Sequence, residues 1–198
     1  RISLNAAENQ YQVALAKNGS STASNKPNTI KLPTINTSDL KLRDLRSLRQ
    51  ADHVYCGSKA ANLGQIHANI KAANVPDGFC IPFGYYQQFL QQLGIDSAYL
   101  QNMEASFKGN NRARRAGLLA LQEKIQAAPV PQAWQNAWGA QWQNQLRSQG
   151  VFVRSSSNSE DLPNFSGAGL YTTVPNVKSK QALSEAVKQS WASVFNYS

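Results

Sequence analysis

The sequence predicts a mixed α/β (α+β) domain, rich in helix and carrying only a small sheet. Apolar residues recur every three or four positions in several stretches, the spacing of one buried helix face. Short apolar runs at Phe79–Ile81 and Val151–Val153, and the alternation across Leu170–Val174, read as strands. Helices and strands do not alternate strictly, and no internal repeat is visible. A length of 198 residues suits one ordinary domain or two small subdomains, and it buries a core without staples.

Residues 1–38 stand apart from the rest. The tract from Asn18 to Asn28 is small, polar and aperiodic, which reads as a linker. Tyr11 to Ala16 before it reads as a remnant strand of a preceding domain. The folded region is expected from Asp39 onward, where Leu40, Leu42, Leu45 and Leu48 recur at short helical or turn-like spacing. Gly57-Ser58 then opens a helix whose stripe is Leu63, Ile66, Ile70 and Ala73. Val75-Pro76-Asp77-Gly78 is a turn, because proline fixes φ and glycine accepts a positive one. Phe79-Cys80-Ile81 is a short buried strand stopped by Pro82. Tyr85 to Leu93 is a helix ended by Gly94, which suits a left-handed cap.

A longer helix covers about 112–127, with Leu118, Leu121 and Ile125 on one face. The next covers about 132–148, where Trp134, Trp138, Trp142 and Leu146 form a stripe that reads as core packing. Val151-Phe152-Val153 is a strand running into Arg154 and a hydroxyl-rich loop. After the strand at Leu170–Val174, a terminal helix begins past Ser179, with Leu183, Val187, Trp191 and Phe195 on one face.

Composition narrows the function. The net charge is +9, from 20 Lys and Arg against 11 Asp and Glu, so acids are scarce rather than bases abundant. A positive balance suits an anionic partner: nucleic acid, a membrane surface or a phosphorylated small molecule. The one basic cluster, Arg112, Arg114 and Arg115, is accounted for by an exposed helix face. No zinc-finger, homeodomain or RNA-recognition signature accompanies it, so nucleic acid is not expected. No run approaches the roughly 18 apolar residues of a membrane span.

Two cysteines exclude a disulfide scaffold and a four-cysteine zinc site. Cys56 and Cys80 read as free, partly buried thiols. His53 and His67 read as surface or locally satisfied side chains, and no metal ligand set is expected. The chain starts at Arg1 without Met and shows no signal-peptide pattern, and it reads as a piece of a longer protein.

Two segments carry chemistry. In Gly57-Ser58-Lys59-Ala60-Ala61-Asn62-Leu63-Gly64 a glycine turn opens a helix, gathering free backbone N–H groups and the positive dipole end where a phosphate could sit. Lys59 lies in the first turn, within reach of the same anion. The Walker A spacing is absent. A capped helix with a surface lysine would leave the same trace.

The second segment is Val151-Phe152-Val153-Arg154-Ser155-Ser156-Ser157-Asn158-Ser159-Glu160-Asp161-Leu162-Pro163. An arginine at a strand end, followed by four serines and one asparagine, offers a planar donor fork beside hydroxyl donors to polyphosphate oxygens. Gly167-Ala168-Gly169 adds a flexible stretch able to approach a ligand closely. Ser155, Ser156, Gly167 and Gly169 form the candidate phosphate loop. A polar loop with a Ser-capped turn explains the hydroxyls, though not the arginine at the strand edge.

Taken in order, Gly57 to Gln65, Val75 to Phe79, Val153 to Pro163 and Ser190 to Phe195 resemble the N-terminal nucleotide-binding domain of the phosphoenolpyruvate synthase and pyruvate phosphate dikinase family. That family typically reads Gly-Gly-Lys-x-Ala-Asn-Leu-Gly-Glu, Val-Pro-x-Gly-Phe, Val-Arg-Ser-Ser-Ala-Thr-x-Glu-Asp-Leu-Pro and Trp-Ala-Ser-Leu-Phe. The resemblance covers about residues 40–198. It implies the first lobe of an ATP-grasp-like domain, with residues 39–198 its N-terminal part. It also implies a dikinase: ATP gives its β-phosphoryl group to a histidine on another domain, and AMP and phosphate are released. Lys59 and Arg154 match the family's phosphate-binding lysine and arginine.

Ser58 and Gln65 depart from the lysine motif. Leu170-Tyr171 and Val174-Pro175-Asn176-Val177 are more similar to glucan water dikinases. By the same resemblance, the Mg²⁺ ligands, the phosphohistidine and the acceptor domain are expected outside these residues, and the chain alone is expected to be inactive. The alternatives are a non-catalytic nucleotide- or anion-binding module and a protein-interaction module. The cytoplasm is the default for an ATP user, and an exported multidomain parent suits the linker-like start.

Overall fold

Six helices and nine short strands make up the described part of the chain, the helix-rich α/β composition that the apolar spacing predicts. The computed structural model describes residues 2–5, 10–13, 28–31, 34–158, 161–162, 165–166 and 171–197. β1 (Ile2–Asn5), β2 (Gln10–Val13) and β3 (Asn28–Lys31) pair antiparallel in that order. Most of the Asn18–Asn28 tract lies outside the described residues.

Asp39 organises the next stretch. It accepts from the Lys41 N–H at 2.7 Å and from the Arg43 guanidinium, which hold its carboxyl below the usual aspartate range. β4 (Arg43–Asp44) follows and leads into a 3-10 turn at Leu45–Ser47, capped by the Asp44 carboxylate on the Arg46 N–H. α1 (His53–Asn69) begins four residues before Gly57, earlier than its motif suggests.

The expected α1 stripe is also corrected. Ile66 and Ile70 are 38% and 53% exposed, and the buried face is Cys56, Ala60, Ala61 and Gly64. Small residues allow the helix to lie directly on backbone, since a Cβ at Gly64 would stand 2.3 Å from the Leu48 carbonyl oxygen. Hydrophobic periodicity weighs large side chains and so selected the wrong face. A hydrogen-bonded turn occurs at Lys71–Ala72. The expected turn at Val75–Gly78 is instead pinned at its end, where the Gly78 carbonyl accepts from the Leu45 N–H and the Gln145 side chain.

β5 (Phe79–Cys80) pairs antiparallel with β4, and Pro82 ends it as expected. α2 (Phe83–Gln92) stops at Gly94, whose φ of +68° is the left-handed cap read from the sequence. α3 (Ser97–Ser106) was not anticipated, because it has no apolar stripe. Asp96 caps it through the Tyr99 N–H, and only Leu100 and Met103 reach the core. α4 (Asn111–Ala127) is capped by Asn110. α5 (Gln132–Leu146) ends just short of its expected limit because Arg147 and Ser148 take positive φ. The Trp142 indole N–H then draws the chain back by donating to the Gln149 carbonyl at 2.9 Å.

β6 (Val151–Arg154) is followed by β7 (Asp161–Leu162) and β8 (Phe165–Ser166), which pair with each other. β9 (Thr173–Val177) lies a few residues beyond the expected Leu170–Val174, and Leu170 is outside the described residues. Pro175 and Asn176 obscured it, one lacking an N–H and the other sitting at φ +57°. A two-stranded edge with an irregular register against β6 tolerates both. α6 (Lys180–Ala192) is capped by the Ser179 hydroxyl on the Ala182 N–H, where the sequence placed its start.

The core lies between α2, α4, α5, α6 and β9. Trp138 is fully buried and meets Tyr85 and Trp191 edge-on at 5.3 and 5.8 Å between centroids. Ring pairs of this geometry add to the burial itself, so the tryptophan stripe is core, as its spacing suggests. Lys188 is buried as well. Its ammonium donates to the Gln126 and Ala128 carbonyls at 2.7 and 3.0 Å, and it pairs with Glu185. These carbonyls end α4, so the lysine satisfies orphan acceptors at the negative end of the dipole.

Candidate functional site

Gly57 breaks α1. Its φ of +77° and ψ of 164° are non-helical, so the helix kinks there. N–H groups just after such a kink and carbonyls just before it are displaced from the regular helical ladder. Buried backbone groups must then find partners elsewhere. The Val54 carbonyl accepts from the Asn36 N–H at 2.7 Å.

The other partners come from the loop after β6. The Ser58 N–H points to the Ser157 carbonyl at 3.4 Å, and the Ala60 N–H donates to the Ser156 hydroxyl at 2.9 Å. Asn158 spans the break: its amide donates to the His53 carbonyl at 2.9 Å, and its carbonyl oxygen accepts from the Ser58 hydroxyl at 3.1 Å. The two motif segments are therefore one hydrogen-bonded unit. The expectation that the N–H groups of this turn stand free is not met at Ser58 and Ala60, because the serine loop itself caps the helix.

This unit faces a groove of about 1360 Å³ lined by Lys59, Arg154, Ser155 and Ser156. Arg154 is exposed at the end of β6, and Lys59 is half-buried in the first turn after the break. Segments from all four sequence motifs line the same groove, including Asp77-Gly78-Phe79 and Ser190-Trp191. Gly167 and Gly169 lie outside the described residues. Two cations beside hydroxyl donors and an apolar wall offer a polyanion neutralisation and a planar group somewhere to lie.

The cysteines overturn their sequence reading. Cys56 and Cys80, expected as free thiols, are joined in a disulfide with Cα atoms 5.9 Å apart, and both are buried. The sequence shows no reason for them to meet. The structure supplies one: β5 pairs with β4, the turn after β4 packs on α1, and Leu48, Cys56, Ala60 and Cys80 form one small cluster. His53 takes up a local contact, its Nδ1 lying 2.8 Å from the Gln50 carbonyl oxygen. Among the described residues no three His, Cys, Asp or Glu side chains converge on a metal-sized site. Ser157 and Asn158 read from the sequence only as members of the polar run after Arg154; their role as caps of α1 is supplied by the fold.

Comparison with known proteins agrees with this arrangement. Residues 53–198 match the family model described as pyruvate phosphate dikinase, AMP/ATP-binding domain. A rifampicin phosphotransferase from Streptomyces sp. is 30% identical over 153 residues, covering 77% of this chain and 18% of that protein. A phosphoenolpyruvate synthase from Synechocystis sp. is 33% identical over 152 residues, covering 70% of this chain and 18% of that protein. Another, from Pseudomonas aeruginosa, is 30% identical over 159 residues, with 77% and 20% covered. The chain thus spans about a fifth of the length of these relatives. With the match beginning at the helix that Gly57 breaks and running through every motif on the groove, the chain belongs to the pyruvate phosphate dikinase AMP/ATP-binding domain family.

Proposed function

We propose that this chain is the phosphate-binding lobe of an ATP-dependent dikinase, with Lys59 and Arg154 holding the ATP phosphates. One observation carries the reading: the lysine turn and the arginine strand end are tied together and face one groove. Phosphoryl transfer is mostly positioning and neutralisation of developing charge, and a fixed lysine–arginine pair supplies both. Ser155 and Ser156 border the phosphate in this reading, and Gly167 and Gly169 are the further candidates for phosphate contact.

Residues 39–198 form the lobe in this reading, and residues 1–38 are a linker or the remnant of a preceding unit. The parent is an ATP-grasp enzyme that passes the β-phosphoryl group to a histidine on another domain and releases AMP and phosphate. Mg²⁺ ligands and the acceptor site come from outside these residues. Relatives named for phosphoenolpyruvate synthesis and for rifampicin phosphotransfer both match here, which fits a lobe that handles the donor and leaves the acceptor to other parts.

Isothermal titration with ATP tests the site. The 198-residue chain is expected to bind ATP without forming AMP. Arg154→Ala and Lys59→Ala should each weaken binding roughly 10- to 100-fold, the loss of a charge-assisted contact worth about 1.5–3 kcal/mol. Absence of binding, or binding indifferent to both substitutions, would sink the assignment.

Among the described residues no helix is long and apolar enough to cross a membrane. The cytoplasm is the default compartment for an ATP user, but the Cys56–Cys80 disulfide favours an oxidising one, where such bonds form and persist. We propose the oxidising compartment. Alkylating intact native cells under denaturing conditions, before any reduction, decides it: both cysteines unlabelled supports that placement, and both labelled returns the chain to the cytoplasm.

A further inference from the structure

We infer that Ser58 and Asn158 are a positioning pair for nucleotide binding, setting Lys59 against Arg154. The inference rests on the ATP reading above and adds the residues that fix its geometry. Ser58 immediately precedes Lys59, and Asn158 lies in the loop that Arg154 opens. Their side chains meet at 3.1 Å across 100 positions of sequence.

Asn158 is 9% exposed, and its amide is used at both ends, accepting from Ser58 and donating to the His53 carbonyl. It therefore grips α1 on both sides of the Gly57 break. Without it the break is a hinge: a glycine at φ +77° followed by a turn whose N–H groups at Ser58 and Ala60 rely on the same loop. Lys59 rides on that turn. A serine at position 58, where the family's lysine motif has glycine, supplies the hydroxyl that glycine lacks.

The pair acts through Lys59 and Arg154, so its loss should change how the cations engage phosphate as well as how often the fold forms. Two cations held together give ATP binding a steep salt dependence; releasing one flattens it. ATP affinity is therefore measured by titration at several ionic strengths, beside thermal unfolding, for wild type, Ser58→Ala, Ser58→Thr and Asn158→Ala. Ser58→Ala should raise Kd about fivefold to tenfold, the size of one hydrogen bond, and Asn158→Ala, which also loses the His53 contact, at least as much, each with a shallower salt slope.

Ser58→Thr keeps the hydroxyl and should restore both affinity and slope. The double Ser58→Ala/Asn158→Ala variant should be little worse than Asn158→Ala, because the two share one interaction. If wild type binds ATP and Ser58→Ala binds equally well, or weakens with its slope unchanged, the pair is structural only and the inference fails. If wild type does not bind ATP, the ATP reading fails and takes the inference with it.

Discussion

Gly57→Ala is expected to lower stability by about 3 kcal/mol and to abolish ATP binding in the same step. Two costs combine. At φ +77° and ψ 164° Gly57 occupies a region that only glycine enters freely, and a side chain there costs roughly 1–3 kcal/mol. The new Cβ would also lie 1.7 Å from the Ser156 carbonyl oxygen and 2.3 Å from its carbon. Those are backbone atoms, so no rotamer change relieves the clash. The loop must retreat, at the roughly 1–3 kcal/mol typical of overpacking.

Retreat breaks the contacts from Ser58 and Ala60 to Ser156, Ser157 and Asn158 together, and Lys59 loses its register with Arg154. A fall of roughly 9 °C in Tm corresponds to that cost for a domain of this size. Gly94→Ala is the control: its φ is +68° but nothing lies within 4 Å of its Cβ. It should cost about 1 kcal/mol of strain and leave ATP binding intact. Equal effects at the two glycines would show that backbone strain alone matters, and that the contact with Ser156 does not.

The sequence made the helices legible where large apolar residues face a shared core. The Trp134–Trp142 stripe, Leu121 with Ile125, and Leu183 with Val187 all point inward as their spacing predicts. It misled where small residues do the packing. The buried face of α1 is alanine, glycine and cysteine, and Ile66 and Ile70 lie on the exposed side. Capping was readable at Ser179 because a hydroxyl precedes an apolar run. It was not readable at Gly57, where the capping groups arrive from a loop about a hundred residues later.

Lys188 shows the same limit. Nothing local marks a lysine in an amphipathic helix as buried, since its partners are the carbonyls ending α4. For the candidate site, the motifs named Lys59 and Arg154, and the fold added what holds them. The disulfide stayed hidden because it depends on β5 pairing beside a turn that packs on α1, a long-range consequence that no spacing encodes.

Removing that disulfide carries the second large expectation. Closing the 24-residue separation between Cys56 and Cys80 restricts the unfolded chain by about 3.5 kcal/mol on the chain-entropy model. Reduction by dithiothreitol, or Cys56→Ala with Cys80→Ala, should therefore lower Tm by roughly 10 °C. The bond consumes both cysteines, so thiol reagents should find no reactive cysteine in the native oxidised protein. An unchanged Tm after verified reduction would mean the bond contributes nothing to stability.

Cys56 adjoins Gly57, which permits a sharper comparison. The disulfide acts mainly on the unfolded chain, whereas Gly57→Ala strains the folded one. Costs of such different origin should add, even though neighbouring sites commonly fail to. If reduction makes Gly57→Ala disproportionately worse, the bond must also brace the native turn. In that case the contribution of Cys56 belongs as much to the proposed phosphate site as to the stability of the domain.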